Sequence, residues 1–174
     1  MSALRTEQRG PTAVVLALAA VVVSSGCTTA TPVHSKRFHE AACRAGQQVY
    51  FQCSTDSAMA ALCGTAGGGV LYRTTAGPGE DRVIRSGTDA QFHYNRFTRP
   101  RATHEEVSFE LGGRRHALFR YYDADFGATR MGLSVTALGT GQEEVDYCAA
   151  GATANFAPLA ESLPCDPDSA LGCP

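Results

Sequence analysis

Seven cysteines in a chain of 174 residues constrain the fold more than any other feature of this sequence. In an exported protein of this size, cysteines at such a density form disulfides, which supplement the stability of a small hydrophobic core. An odd number leaves one cysteine over when the others pair. The role of the unpaired cysteine therefore decides which six are available for crosslinks.

The first 26 residues have the parts of an export signal. Arg5 and Arg9 supply a basic start, residues 13–23 are all apolar, and small residues follow. An apolar run of this length is too short to cross a bilayer, since a spanning helix takes about 20 residues. We therefore interpret residues 1–26 as a signal peptide that is removed from the mature protein.

The cleavage site Ser24-Ser25-Gly26-Cys27 resembles that of bacterial lipoproteins, in which the cysteine becomes a lipidated N-terminus. The resemblance implies that Cys27 carries the lipid and leaves six cysteines for disulfides. It also favours the outer membrane, because Thr28 replaces the aspartate that typically retains enteric lipoproteins in the inner membrane. Ordinary secretion after Gly26 is the alternative. Residues 27–46 then comprise the lipidated cysteine, a tether and a short helix at 36–45.

Alternating hydrophobicity predicts a mostly β domain over residues 47–148. Residues 107–111 and 117–121 alternate on either side of Gly112-Gly113, a pair typical of a type I′ turn. A second pair of runs, at 131–137 and 145–147, flanks residues 139–141, and weaker strands are predicted at 47–53, 58–63, 69–74, 81–85 and 90–95. Short strands at this spacing favour a small antiparallel sandwich or barrel, followed by a loop-rich tail at 149–174.

The remaining cysteines are predicted to form three disulfides, although sequence alone permits many pairings. We expect Cys53 to pair with Cys63 across a hairpin and Cys165 with Cys173 around a small loop. Cys43 and Cys148 are left to pair with each other. A zinc site is disfavoured, because the chain lacks a Cys-x2-Cys spacing and an exported protein oxidises its thiols.

Charge and motifs give no indication of a nucleic-acid partner, a cofactor or a metal. The formal net charge is −2, whereas nucleic-acid-binding domains carry basic patches. Residues 28–130 hold 13 basic and 10 acidic residues, while residues 131–174 hold six acids and no Lys or Arg. The run His104-Glu105-Glu106 is not a predicted metal site, because neighbouring side chains in a strand point to opposite faces.

One stretch, residues 91–101, has the composition of a recognition surface. It interleaves aromatic rings with guanidinium groups, which can bind anionic sugars or acidic protein loops. A strand edge kept soluble by arginine is the alternative interpretation. The candidate binding patch consists of Phe92, Tyr94, Arg96, Phe97, Arg99 and Arg101.

Three segments together resemble a group of short exported bacterial lipoproteins of unassigned activity. They are the hairpin between Cys53 and Cys63, the strand at residues 71–73, and the strand and glycine turn at residues 107–113. The resemblance covers residues 49–148 loosely. It implies a β-rich envelope domain and no particular reaction.

We therefore expect a lipid-anchored protein of the bacterial cell envelope that acts as a non-enzymatic binding or accessory module. Its partners would be the membrane, through the lipid, and an envelope protein or glycan. The alternatives are a structural lipoprotein of an outer-membrane assembly and a secreted hydrolase. A hydrolase would need carboxylates that the fold brings together, for which the candidates are Glu105, Glu106, Asp123 and Asp125.

Overall fold

The computed structural model describes residues 42–76 and 81–173, and these residues form a mostly β structure, as predicted. A single 3-10 helix, Ala157–Glu161, follows the last strand. The ten strands are β1 (Val49–Ser54), β2 (Ala58–Gly64), β3 (Val70–Ala76), β4 (Asp81–Arg85), β5 (Phe92–Arg99), β6 (Ala102–Leu111), β7 (Arg114–Asp123), β8 (Ala128–Ala137), β9 (Glu143–Tyr147) and β10 (Thr153–Ala154).

The strands form two antiparallel sheets of five strands each. The first sheet has the order β10-β1-β2-β3-β4 and the second has the order β5-β6-β7-β8-β9. Their inner faces pack on each other, with the rings of Tyr72 and Phe109 centred 5.3 Å apart. Phe109 in turn stacks on Phe92 at 4.5 Å. Of the two predicted architectures, the described strands form the sandwich.

The β6–β7 hairpin turns at the predicted pair of glycines. Gly112 and Gly113 have φ angles of 59° and 72°, the left-handed conformation that a type I′ turn requires. All ten residues of β6 pair with β7 without a shift, which places Val107 opposite Leu118 in the core. Phe119, the next residue of β7, therefore points to the outer face of the second sheet.

The three disulfides are Cys43–Cys63, Cys53–Cys148 and Cys165–Cys173. The predicted Cys165–Cys173 bridge is confirmed, whereas the predictions of Cys53–Cys63 and Cys43–Cys148 are wrong. Cys53 belongs to the core between the sheets, while Cys63 lies in a separate cluster on the outer face of the first sheet. Side chains on opposite faces of one hairpin cannot form a disulfide, because their Cβ atoms point apart.

The predicted helix at 36–45 does not extend over its described part. Residues 42–45 form a bend and a turn instead. Cys43 is bonded to Cys63, and the backbone N–H of Arg44 donates to Oε1 of Gln47 at 2.8 Å. Gly46, with a φ of 84°, then turns the chain towards β1 in a conformation that is not helical.

The predicted signal peptide, Cys27 and the tether lie outside the described residues. Within 42–76 and 81–173, no helix has the length and apolar character needed to span a membrane.

The tail after β10 packs around one edge of the second sheet rather than forming a loose loop. Phe156 and Leu159 are fully buried between the sheets. The N–H of Tyr94 on the edge strand β5 then donates to the carbonyl oxygen of Pro164 at 2.9 Å. The tail thereby closes the core on the β5 side, which its lack of periodicity did not predict.

Beyond Pro164, the Cys165–Cys173 loop covers part of the outer face of the second sheet. Nδ2 of the buried Asn95 donates to the carbonyl oxygens of Asp166 and Gly172, both at 2.8 Å. Arg115 on β7 donates to the Asp166 carboxylate at 2.8 Å. The loop is therefore held on this end of the face by hydrogen bonds and an ion pair.

Replacing the disulfides one pair at a time by alanine should destabilise the protein in order of loop length. The sequence separations are 95 for Cys53–Cys148, 20 for Cys43–Cys63 and 8 for Cys165–Cys173. Chain entropy assigns about 4.7, 3.3 and 2.5 kcal/mol to loops of these sizes. Urea titration should show this ranking of unfolding free energies. A non-reducing digest that links Cys53 to Cys63 would contradict the structure.

Candidate functional site

The structure divides the predicted binding patch between the core and the surface. Phe92 and Tyr94 are 0% and 2% exposed and face the first sheet, so they cannot contribute to a surface patch. Arg96, Arg99 and Arg101 are exposed, as is Phe97. The patch prediction is therefore corrected: Phe92 and Tyr94 belong to the core, and only the side chains from Arg96 onward remain at the surface.

Tyr94 instead belongs to a buried polar group between the sheets. Its hydroxyl donates to Oε1 of Glu105 at 3.0 Å, and Arg120 donates to Oε2 of Glu105 at 2.9 Å. Burial, together with the charge and hydrogen bond of Glu105, raises the pKa of Tyr94 to about 12. Both oxygens of this buried carboxylate are therefore occupied, which indicates a structural role.

The four carboxylates considered for hydrolysis do not face a common space. Glu105 lies on the inner face of β6, while Glu106 lies on the outer face and accepts a hydrogen bond from Arg115 at 3.0 Å. Asp125 forms an ion pair with Arg101. Asp123 accepts hydrogen bonds from the Tyr121 hydroxyl and the Asp125 N–H, at 2.7 and 2.8 Å. This arrangement gives no support to a hydrolytic pair among these residues.

The outer face of the second sheet carries aromatic side chains in two adjacent cross-strand rows. Each row consists of residues that are directly opposite one another on neighbouring strands. One row runs across β5, β6, β7 and β8, and the adjacent row crosses the same strands and continues to β9. The aromatic members of these rows are Phe97, His104, Phe119, Tyr121 and Tyr147. We call these five side chains the aromatic platform.

Four of the five platform rings, all except Phe97, contact each other edge to face, the arrangement that aromatic quadrupoles favour. His104 lies 6.1 Å from Phe119 and 5.9 Å from Tyr121, at interplanar angles of 73° and 71°. Phe119 meets Tyr147 at 6.0 Å and 90°. The rings therefore form one connected group across β6, β7 and β9.

Gly132 on β8 allows the Phe119 ring to lie against the sheet. A Cβ atom built at Gly132 would be 2.5 Å from Cζ of Phe119 and 2.7 Å from the carbonyl oxygen of Asp146. Any larger residue would displace the ring from its contact with Tyr147. The glycine thus shapes the middle of the platform.

Much of the platform is uncovered by the rest of the described chain. On β9, Tyr147 is 57% exposed and Val145 next to it on the same face is 42% exposed, and Phe97 on the opposite edge strand β5 is 45% exposed. Between the rings and β9 lies a shallow depression of about 340 Å³. Exposed apolar side chains grouped in this way mark interaction sites more often than scattered ones do.

Two arginines lie beside the platform. Arg130 is exposed and directly paired with Tyr121 across β7 and β8. The hydrogen bond from the Tyr121 hydroxyl lowers the pKa of Asp123, and the nearby charge of Arg99 lowers it further. Among the described residues, neither Arg99 nor Arg130 forms an ion pair, and since Arg99 has the Asp123 carboxylate nearby, Arg130 is the more available of the two to an anion.

Side chains that ligate metals are not grouped in this face or elsewhere in the described ranges. Within residues 42–76 and 81–173, no three His, Cys, Asp or Glu side chains come close enough to hold an ion together.

No protein-family model, curated protein or solved structure matches this chain. The resemblance to short exported lipoproteins therefore stays a prediction.

The alternation at 117–121 contains Phe119 and Tyr121 but does not by itself predict an aromatic surface. The signal lies in the turn, because a two-residue turn at Gly112-Gly113 pairs the apolar face of β6 with Leu118. Phe119 and Tyr121 must then face outward. Tyr147 carried no such signal, since its position depends on the β8–β9 pairing.

Substituting Gly132 by alanine should destabilise the protein, because the added methyl group has no space. Overpacking of this kind costs about 1–3 kcal/mol. The expected loss is seen as a lower free energy of unfolding in urea. Gly139→Ala is the matched control, since a Cβ there meets nothing within 4 Å. Equal stability of the two variants would show that Phe119 does not lie against Gly132.

Stability should fall as the pH decreases below about 6.5, the ordinary pKa of histidine. Burial lowers the pKa of His104, and the negative charge of Glu106 partly opposes this effect. Burial also lowers the pKa of His116, and the positive charges of Arg114 and Arg82 lower it further. The unfolded chain therefore binds more protons than the folded one in this range, so acidification favours unfolding.

Urea titrations at pH 8, 7, 6 and 5 test this expectation for His104 and His116. The free energy of unfolding should be level above pH 7 and decrease towards pH 5. The variant His104→Phe/His116→Phe should show a flatter profile. A wild-type profile that rises on acidification would contradict the assignment.

Proposed function

We propose that the protein is a lipid-anchored binding module of the bacterial cell envelope, and that the aromatic platform is its binding surface. The observation that supports this proposal is a set of aromatic rings across the outer face of the second sheet, exposed at its two edge strands through Phe97 and Tyr147. Binding surfaces are enriched in such residues, because they bury a large area at a small cost in side-chain entropy.

The disulfide pattern supports an extracytoplasmic location and a distinct role for Cys27. All six cysteines from Cys43 onward are bonded to each other within the domain. Disulfides persist in oxidising compartments. Cys27 is thus left without a partner cysteine in its own chain, which is consistent with acylation. We place the anchored protein on the outer membrane, with ordinary secretion as the alternative.

A role as an accessory subunit of an outer-membrane assembly would use the same surface. The face opposite the core is the one on which the second sheet presents Phe97, Tyr147 and Val145 to solvent. Binding and accessory roles differ only in whether the partner is held permanently.

The full chain, produced in a bacterium that processes lipoproteins, should begin at Cys27 and carry the added mass of its acyl chains. It should partition with detergent, whereas Cys27→Ser should move to the aqueous phase, because one or more acyl chains provide the membrane affinity. Intact mass spectrometry and phase partitioning measure both effects. An unprocessed, fully reduced chain in the cytosol would overturn the proposal.

The Cys27→Ser protein also separates binding from anchoring. It should still sediment with purified cell envelopes, and Phe97→Ser/Tyr147→Ser in the same background should weaken this binding about tenfold or more. Phe126→Ser is the matched control, because Phe126 is 79% exposed and lies in the β7–β8 turn. Equal loss of envelope binding in the Phe126→Ser control, or no loss of binding in either variant, would exclude the platform as the binding surface.

A further inference from the structure

We propose that the aromatic platform binds a glycan that contains sugar acids, with pyranose rings stacked on the exposed aromatic rings and a sugar carboxylate held by Arg130 and Arg99. This inference rests on the proposed function and names the class of its ligand. It is carried by the pairing register of the second sheet and by the charges at one end of the platform.

The platform has the dimensions of an oligosaccharide rather than of a single small molecule. Phe97 lies on β5 and Tyr147 on β9, so the exposed rings are separated by four strand spacings, about 19 Å. This length is several times the width of one sugar ring. An extended chain lying across the strands can therefore contact Phe97, Tyr121 and Tyr147 in turn.

The surface alternates apolar rings with polar groups, which matches the two kinds of surface that a sugar presents. The C–H face of a pyranose stacks on an aromatic ring, while its hydroxyl groups need hydrogen-bond partners at the ring edge. The depression between the rings and β9 supplies such partners, because Glu106, Ser134 and Glu143 line it beside the aromatic residues. A protein interface would instead need a more continuous apolar centre.

Charge favours a carboxylate over a neutral sugar at one end. Arg130 is paired with Tyr121, and the charge of Arg99 also acts on Tyr121, so both guanidinium groups flank the same ring. Arginine binds carboxylates through two parallel hydrogen bonds. By contrast, Arg101 and Arg115 already form ion pairs with Asp125 and Asp166.

The same charges disfavour a nucleic acid. Stacking of bases on aromatic rings occurs in single-strand-binding proteins, but these also place a basic groove along the phosphate backbone. Here Arg130 alone of the two arginines lines the depression, together with Glu106 and Glu143, and Arg99 acts on Tyr121 from outside it. A ligand with one or a few well-placed carboxylates fits this distribution better than a polyphosphate does.

Isothermal titration of the Cys27→Ser protein with three families of acidic oligosaccharides tests the proposal. The probes are hexamers of galacturonate, of mannuronate and of alternating glucuronate and N-acetylglucosamine. At least one should bind, and its methyl-esterified form, which keeps the rings and loses the charge, should bind about tenfold more weakly. Polyglutamate and oligothymidine, which are anionic but not acidic sugars, should bind more weakly than the sugar acid.

Variants then assign the contacts. Phe97→Ala/Tyr147→Ala and Arg99→Gln/Arg130→Gln should each weaken binding of the acidic oligosaccharide about tenfold, and the arginine variant should no longer distinguish it from its methyl ester. Phe126→Ala, in the β7–β8 turn, and Arg114→Gln, at the opposite end of β7 from Tyr121, change exposed residues outside the platform and should leave affinity unchanged. Circular dichroism checks that each variant is folded.

The outcomes separate this inference from the proposed function. Absence of binding to all three families, or equal binding of polyglutamate, overturns the glycan assignment. If envelope sedimentation still depends on Phe97 and Tyr147 in that case, the proposed function stands with a protein partner. If sedimentation is also independent of them, both proposals fail.

Discussion

The pairing register between β6 and β7 determines which side chains form the core and which form the exposed face. Because Gly112 and Gly113 make a two-residue turn, the strands pair without a shift over ten residues each, and Val107 meets Leu118 between the sheets. A slip by one residue would exchange the two faces of β7. Leu118 would then be exposed, and the aromatic platform would lose Phe119 to the interior.

The disulfides depend on the same division of faces. In the first sheet, Cys53 points into the core and Cys63 points away from it, so each must find a partner on its own side. Cys53 reaches Cys148, just after β9, and thereby joins the two sheets covalently. Cys63 instead fixes Cys43 and the chain that leads into β1. Core packing and crosslinking are therefore consequences of one pattern of alternation.

Local patterns predicted most of the strands, the glycine turn and a mostly β fold, a sandwich or a barrel, because alternation and turn chemistry act over a few residues. They did not predict the disulfide partners or the buried residues of the tail, because these depend on contacts between residues distant in sequence. The partner of Cys53 is 95 residues away, and the buried positions of Phe156 and Leu159 depend on a gap beside β5 that no local pattern reveals. The platform combines both cases. The outward position of Phe119 follows from the two-residue turn and the alternation of side chains along β7, whereas the position of Tyr147 depends on how β9 pairs with the rest of the sheet.

Stability alone does not explain the rings on the outer face. Antiparallel sheets commonly present polar residues to solvent, and polar substitutions at Phe97 or Tyr147 would remove no contact with the buried core. An exposed apolar sheet can aggregate by pairing its edge strand with another chain. The edge strand β9 disfavours such pairing, because it carries Glu143, Glu144 and Asp146. A sequence that protects the edge of the sheet while keeping aromatic residues on its face is what a binding surface requires.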